Sequence, residues 1–303
     1  MDWKNEFLEL LFPSDEKPRN ISAADELKFK NRPNSLFKYR KASGTLFSSH
    51  LEEIKNDTIW LSRPDQFNDP YECFFKGDFQ KTMVGFLSRR YPEMKKVVTE
   101  IFSDGQFGEK PAEKLFQYFL AKRGTFSKEN LEVLRDLFKS HNFESNKKFM
   151  DNTVKIGCFS ERNDSIPMWA HYADKHTGFC IEYDIYTQPT EIISYLFPVI
   201  YSDEIVDVTK ELFEGTEGWG IKPTIFKSND WSYEREWRFI RATPLTDLKG
   251  VNIKFFSIKG IYLGTDISPE NKTALCDIAK SKNIPVHKMR LSNSRFAFES
   301  YSL

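Results

Sequence analysis

WSYEREWRFI, residues Trp231 to Ile240, sets two glutamates two places apart inside a run of aromatic side chains. Such aromatic content favours a strand over a helix, and strand side chains two apart share a face. Read as strand throughout, one face carries Trp231, Tyr233, Arg235, Trp237 and Phe239 and suits a core. The other carries Ser232, Glu234, Glu236, Arg238 and Ile240. That charged row is either the wet side of an antiparallel sheet, with Arg238 pairing Glu236, or a functional row. The stretch alone leaves the two readings level.

Working outward, the sequence supplies more strands than βαβ alternations. SLFKYRK (35–41), TIWLS (58–62), VKIGCFS (154–160), GFCIEYDI (178–185), PVIYSDEI (198–205), the pair in NIKFFSIKGIYLG (252–264), IPVHKMRLS (284–292) and RFAFESY (295–301) read as strands. Helices are expected at 2–12, at 44–57 with Leu46, Leu51 and Ile54 on one side, at 165–176 with Pro167 in the first turn, and at 268–283 capped by Ser268. Between 79 and 150 strand patterns give way to Phe and Leu at helical spacing. The fold expected is therefore α+β with a mostly antiparallel central sheet. An N-terminal helix and proline-marked arm occupy 1–34, and a single domain spans 35–303 with a helical insertion at about 79–150, packed as a lid or partner-facing lobe.

The chain has 303 residues, 40% of them hydrophobic, with 28 phenylalanines, enough for a sizeable core. Lysine plus arginine equals aspartate plus glutamate at 44 each, which argues against a dedicated nucleic-acid coat. Cys73, Cys158, Cys180 and Cys276 form no CxxC pair and read as reduced thiols of a cytoplasmic protein. The acid-broken N-terminus does not read as a signal peptide. The longest nearly apolar run, IISYLFPVIY (192–201), is too short to span a bilayer, so no membrane is expected.

Two other stretches hold chemistry-bearing residues. In FNDPYE (67–72), Asn68 and Asp69 suit a turn, whereas Glu72 has no local reason to be there. GCFSERNDSIPMWAHYADKHTG brings Ser160 to a strand end, followed by Trp169, His171, Tyr172 and His176. The histidines are five apart, which suits a zinc helix poorly, and no metal is expected. No GxSxG elbow surrounds Ser160, and there is no Walker A or GxGxxG loop.

SLFKYR, FNDPYE, MWAHYADKHTG and WSYEREWRF, in that order, resemble the bacterial domain-of-unknown-function family 2971 over about residues 35–291. That family lies near phage-defence and toxin–antitoxin loci, which implies a toxin or defence effector with an antitoxin or defence-complex protein as partner. A second resemblance is to ADP-ribosyltransferases of the arginine–serine–glutamate class, and it implies their fold. Tyr39-Arg40 stands for their first strand, Phe159-Ser160 for their second, and Glu234-Arg235-Glu236 for the Glu-x-Glu strand. The Ser-Thr-Ser triplet is missing, and Lys38 competes with Arg40.

This second resemblance implies an NAD-dependent ADP-ribosyltransferase or NAD glycohydrolase, with NAD as substrate. Glu236 would face the oxocarbenium-like sugar and Glu234 would act on the acceptor. Ser160 and His171 complete the catalytic set. Arg40 or Lys38 would hold pyrophosphate, and Tyr39, Trp169 or Tyr172 would stack nicotinamide. Ser160, His171, Glu234, Glu236 and Arg40 are expected to meet in one cleft. The acceptor stays open among protein, nucleic acid, small molecule and water. Two other readings stand beside this one. One is a nuclease or other hydrolase built on Glu72, His171, His176, Glu234 and Glu236. The other is a non-catalytic sensor or partner-binding module.

Overall fold

The strand read from the WSYEREWRFI stretch begins only at its sixth residue. In the computed structural model, which describes residues 2–14, 17–78, 150–214, 218–242, 250–255 and 257–303 with a few isolated positions between 85 and 148, β8 is Glu236–Ala242. Asn229–Glu234 is a 3-10 helix, and Arg235 closes it in the left-handed region at φ 43°. The reason is local. Ser228 Oγ accepts from the Asp230 amide at 3.3 Å, and the Ser-Asn-Asp start offers the backbone a turn in place of a ladder. Trp237 and Phe239 do reach the core, but Trp231, Tyr233 and Arg235 do not continue their face.

The described residues hold twelve strands: an eight-stranded sheet in the order β12-β11-β10-β4-β1-β3-β8-β5 and two two-stranded ribbons, β2-β9 and β6-β7. The large sheet comprises β1 (Ser35–Arg40), β3 (Val154–Ser160), β4 (Phe179–Asp184), β5 (Leu196–Pro198), β8, β10 (Ile258–Leu263), β11 (Val286–Leu291) and β12 (Phe298–Ser302). The ribbons pair β2 (Thr58–Leu61) with β9 (Val251–Lys254), and β6 (Ile200–Ser202) with β7 (Phe226–Ser228). Within the large sheet β10 and β11 run parallel and the other neighbours antiparallel. The fold is thus α+β with a mostly antiparallel sheet. The stretch 198–205, expected as one strand, splits into the end of β5 and all of β6.

By contact, the chain divides into two compact units. The first, Met1–Glu72, Thr153–Asp203 and Ile225–Leu303, holds the sheet. One sheet face carries Leu36, Phe159, Ile181, Trp237 and Phe239. Helix α3 (Gly44–Asn56) covers it through Ile54, and the helix Pro269–Ser281 through Leu275 and Ala279. Burying each such large apolar side chain contributes about 1.5–3 kcal/mol. Leu46, expected on the inner side of α3, is instead exposed. Ser268 caps its helix as expected, accepting from the Asn271 amide at 3.2 Å.

The N-terminal helix α1 (Trp3–Leu11) stacks Trp3 on Trp237 with 6.1 Å between ring centroids. The stretch read as a polar arm contains a second helix, α2 (Ile21–Asn31). Asn20 caps it by accepting from the Ala23 amide at 3.0 Å, a signal outweighed in the sequence by the surrounding prolines. The opposite sheet face buries Tyr39, Cys180, Met289 and Phe298 against Met168 and Trp169 of the helix Ile166–Tyr172. That helix ends earlier than expected, because Asp174, Lys175 and His176 are all left-handed, at φ 52°, 53° and 71°.

The second unit, Cys73–Asn152 and Glu204–Thr224, contains the helix Thr209–Glu214 and an ion pair at 2.9 Å between Lys222 and Glu211. The insertion expected at about 79–150 lies almost wholly outside the described residues. Among the described residues no helix is long and apolar enough to cross a membrane.

Candidate functional site

Strand register assembles the site. Phe37 of β1 pairs with Ser160 at the end of β3, and Ser160 pairs with Glu236 at the start of β8. Directly paired residues project to one face, so these side chains form a row across three adjacent strands. By the same alternation Lys38 and Arg40 project from the other face. Arg40 is ion-paired there with Glu53 of α3. Lys38 donates to the Cys158 carbonyl at 2.9 Å above the Phe159 ring. Burial, with the charge of Arg40, pushes the Lys38 ammonium down to about 8. The proposed cations of the first strand are therefore not on the face that carries the glutamates.

That face holds a buried ionic network. Arg238 is fully buried. It makes a two-pronged contact with Glu72, from Nη1 at 2.6 Å and Nη2 at 3.0 Å. It also donates to Glu236 from Nε at 2.8 Å and Nη2 at 3.2 Å. Lys227 Nζ joins the two glutamates of the opening stretch, 2.5 Å from Glu234 Oε2 and 3.1 Å from Glu236 Oε2. Glu72, Glu234 and Glu236 are each only 3% exposed. The row is thus neither wet nor solvated. Its five ionic side chains, three acids and two bases, carry one formal negative charge in excess.

The excess falls unevenly. Burial would raise the Glu236 carboxyl, but Arg238 and Lys227 outweigh it and hold it down at about 2. Burial raises Glu234, the Glu236 charge adds to that, and Lys227 and Tyr172 only partly offset them. For Lys227, burial acts downward and is overcome by Glu236, so its pKa rises. Two carboxylates with one shared cation are in this way pushed apart in proton affinity, the pattern by which one site separates a permanent anion from an acid–base group.

Neighbouring side chains fix Glu234. Ser160 is fully buried, and its Oγ donates to the Glu234 carbonyl at 2.6 Å while accepting from the Arg162 amide at 3.2 Å. It therefore pins the turn that aims Glu234. The Tyr201 hydroxyl accepts from the Glu236 amide at 2.8 Å. Tyr172 donates to Glu234 Oε1 at 2.5 Å and also meets Asn68. Around this half-buried tyrosine stand the exposed His171, whose Nδ1 is 3.3 Å from the Tyr233 hydroxyl, and Trp231, whose ring lies 4.8 Å from Lys227 Nζ.

Of the sequence candidates, Ser160, Glu234, Glu236 and Tyr172 come together, with His171 at the rim. Trp169 and Tyr39 are core residues instead. Trp169 Nε1 donates to the Asn163 carbonyl at 2.6 Å, and Tyr39 packs edge-on against it with 5.3 Å between ring centroids. His176 packs against Phe298, 5.6 Å between centroids. Sequence reasoning missed Lys227, Tyr201 and the clamp on Glu72. Only Glu72 gave a signal, as an acid that its turn did not need. Among the described residues no group of three or more His, Cys, Asp or Glu side chains is set to hold a metal ion.

A family described as "Protein of unknown function (DUF2971)" matches the chain over residues 168–239. No curated protein and no solved structure matches it. The matched stretch contains Tyr172, Tyr201, Lys227, Glu234, Glu236 and Arg238, so the chain resembles DUF2971 where the buried network is built.

Proposed function

We propose that this chain is an ADP-ribosyltransferase-like enzyme that cleaves the nicotinamide N-glycosidic bond of NAD, with Glu234 as its acid–base group and Glu236 as a fixed anion. The observation that carries this reading is the Glu234–Lys227–Glu236 arrangement, in which one carboxyl is raised and the other lowered. Glycosidic-bond cleavage develops positive charge on the sugar and uses carboxylates in two such roles. The Phe37–Ser160–Glu236 row and the half-buried aromatic rim at Tyr172 and Tyr233 also support it. Arg40 does not, because it sits on the opposite face with Glu53. We assign pyrophosphate instead to Arg235, which is exposed and stands between the two glutamates in sequence. An enzyme that consumes NAD would act as a toxin or defence effector and would need a restraining partner.

The test is incubation of the full chain with NAD, alone and with protein or nucleic-acid acceptors, scored by nicotinamide release. Wild-type release that Glu234→Gln removes supports the reading, and no release under any of these conditions overturns it. One observation favours a second reading, a non-catalytic binding module. Every carboxylate oxygen of Glu236 and Glu72 is engaged by Arg238 or Lys227, as a purely structural fastening requires. In that case Glu234→Gln leaves partner binding and cellular effect unchanged.

A further inference from the structure

Glu234 is nearly inaccessible, whereas Tyr172, which caps it, is half-buried and reaches the surface. Glu234 Oε2 is held by Lys227 at 2.5 Å, and its carbonyl is held by Ser160. That leaves Oε1, which receives the Tyr172 hydroxyl at 2.5 Å. The hydroxyl has a second acceptor on its outer side, Asn68 Oδ1 at 3.3 Å, and Asn68 Nδ2 lies 3.2 Å from the same oxygen. Asn68 itself is exposed. One hydroxyl hydrogen thus has an inward acceptor, Glu234, and an outward one on the exposed Asn68.

We propose that Tyr172 is the catalytic residue through which Glu234 exchanges protons, a relay from the buried carboxylate to the reacting oxygen. This rests on the reaction proposed above and assigns a step within it. The acceptor O–H gives its proton to Tyr172 Oη as its oxygen bonds to the ribose C1′. The C1′–nitrogen bond breaks, and its electron pair leaves on neutral nicotinamide. The hydrogen that Tyr172 already carried moves to Glu234 Oε1. The proton ends on Glu234 and Tyr172 is restored, so the tyrosine never has to persist as a phenolate. Burial and the charge of Glu234 push the Tyr172 hydroxyl well above its ordinary range, which suits a relay rather than a stored anion.

The groups facing Glu234 are Lys227, Glu236 and Tyr172. Arg238, Glu72 and Tyr201 stand behind them, with His171 and Tyr233 at the rim. With Glu234 as base, turnover rises as pH climbs through its raised pKa.

Tyr172→Phe keeps the ring, and its folding is checked by thermal melting. Two measurements then decide. In full-length protein labelled with 13C at the glutamate Cδ, the Glu234 resonance, assigned by its loss in Glu234→Gln, titrates at higher pH in Tyr172→Phe because a donor to the carboxylate is gone. An unchanged titration means that the contact is not made in solution and overturns the relay. With NAD as substrate, Tyr172→Phe lowers kcat about 10²–10⁴-fold, leaves KM near wild type and loses the rising limb of the pH profile. A kcat close to wild type overturns the relay even where Glu234→Gln is dead. If wild-type protein releases no nicotinamide, the proposed reaction fails and the NMR titration alone judges the relay.

Discussion

Glu234 and Glu236 take hold of a single ammonium, Lys227 Nζ, at 2.5 and 3.1 Å. Glu236 has Arg238 as well, whereas Glu234 has only the neutral hydroxyl of Tyr172. Two residues two places apart in sequence therefore differ in what their charge does for the fold.

Glu236→Gln is expected to destabilise the protein by about 3–5 kcal/mol, because it leaves Arg238 buried with one of its two carboxylates missing. Glu234→Gln removes the excess negative charge and is expected to leave stability unchanged or higher. Chemical denaturation of both variants at neutral pH tests this. Equal losses from the two would contradict the asymmetry.

Acid should expose the same difference. Glu236 is held at about 2, below the roughly 4.3 of an unfolded glutamate. Its contribution is complete above the unfolded value and is lost as pH falls from there through the folded one. Glu234 is raised, so its ionisation works against the fold as pH rises. Between about pH 5 and pH 2, stability should fall less steeply in Glu236→Gln than in wild type. Parallel curves would remove Glu236 from the acid response.

Ser160→Ala leaves the buried Glu234 carbonyl without its hydroxyl donor and should cost about 1–3 kcal/mol. Ser160→Cys, with its weak donor, should recover little of this. A Ser160→Ala protein as stable as wild type would show that the turn holds without it.

The left-handed run after the helix Ile166–Tyr172 is also testable. Lys175 is exposed at φ 53°, where a side chain costs about 1–2 kcal/mol. Lys175→Gly should be neutral or stabilising by up to about 1 kcal/mol, and Lys175→Val destabilising. The nearby Gly178 behaves oppositely, since a Cβ there would lie 2.2 Å from the Arg40 carbonyl oxygen, a backbone atom that cannot swing away. Gly178→Ala should be among the most damaging single-methyl changes, and melting temperatures of the three variants rank the effects.

Much of the sheet was legible because period-two alternation reports burial directly. Trp237 and Phe239 pointed to the core and lie there. The first half of WSYEREWRFI misled because aromatic residues also suit a packed turn, and Ser228, Asn229 and Asp230 prefer local hydrogen bonds to a ladder. Within the site, Ser160 could be singled out from a strand end, and Glu234 and Glu236 from their spacing of two. Arg40 falls on the other face, which was not legible because the sequence gives a strand's alternation but not the register that sets which of its residues share a face with Glu236. Lys227 was invisible for a different reason. Its partners lie seven and nine places away across a turn, a relationship with no sequence period.

The clamp between Glu72 and Arg238 spans 166 positions of the chain. Closing a loop of that length costs more chain entropy than a local contact does, and contacts of such separation slow folding. A chain growing from its N-terminus places Glu72, Ser160 and Tyr172 in the cell well before Lys227, Glu234, Glu236 and Arg238 exist. No partial chain ending before residue 238 can therefore assemble the charge pair.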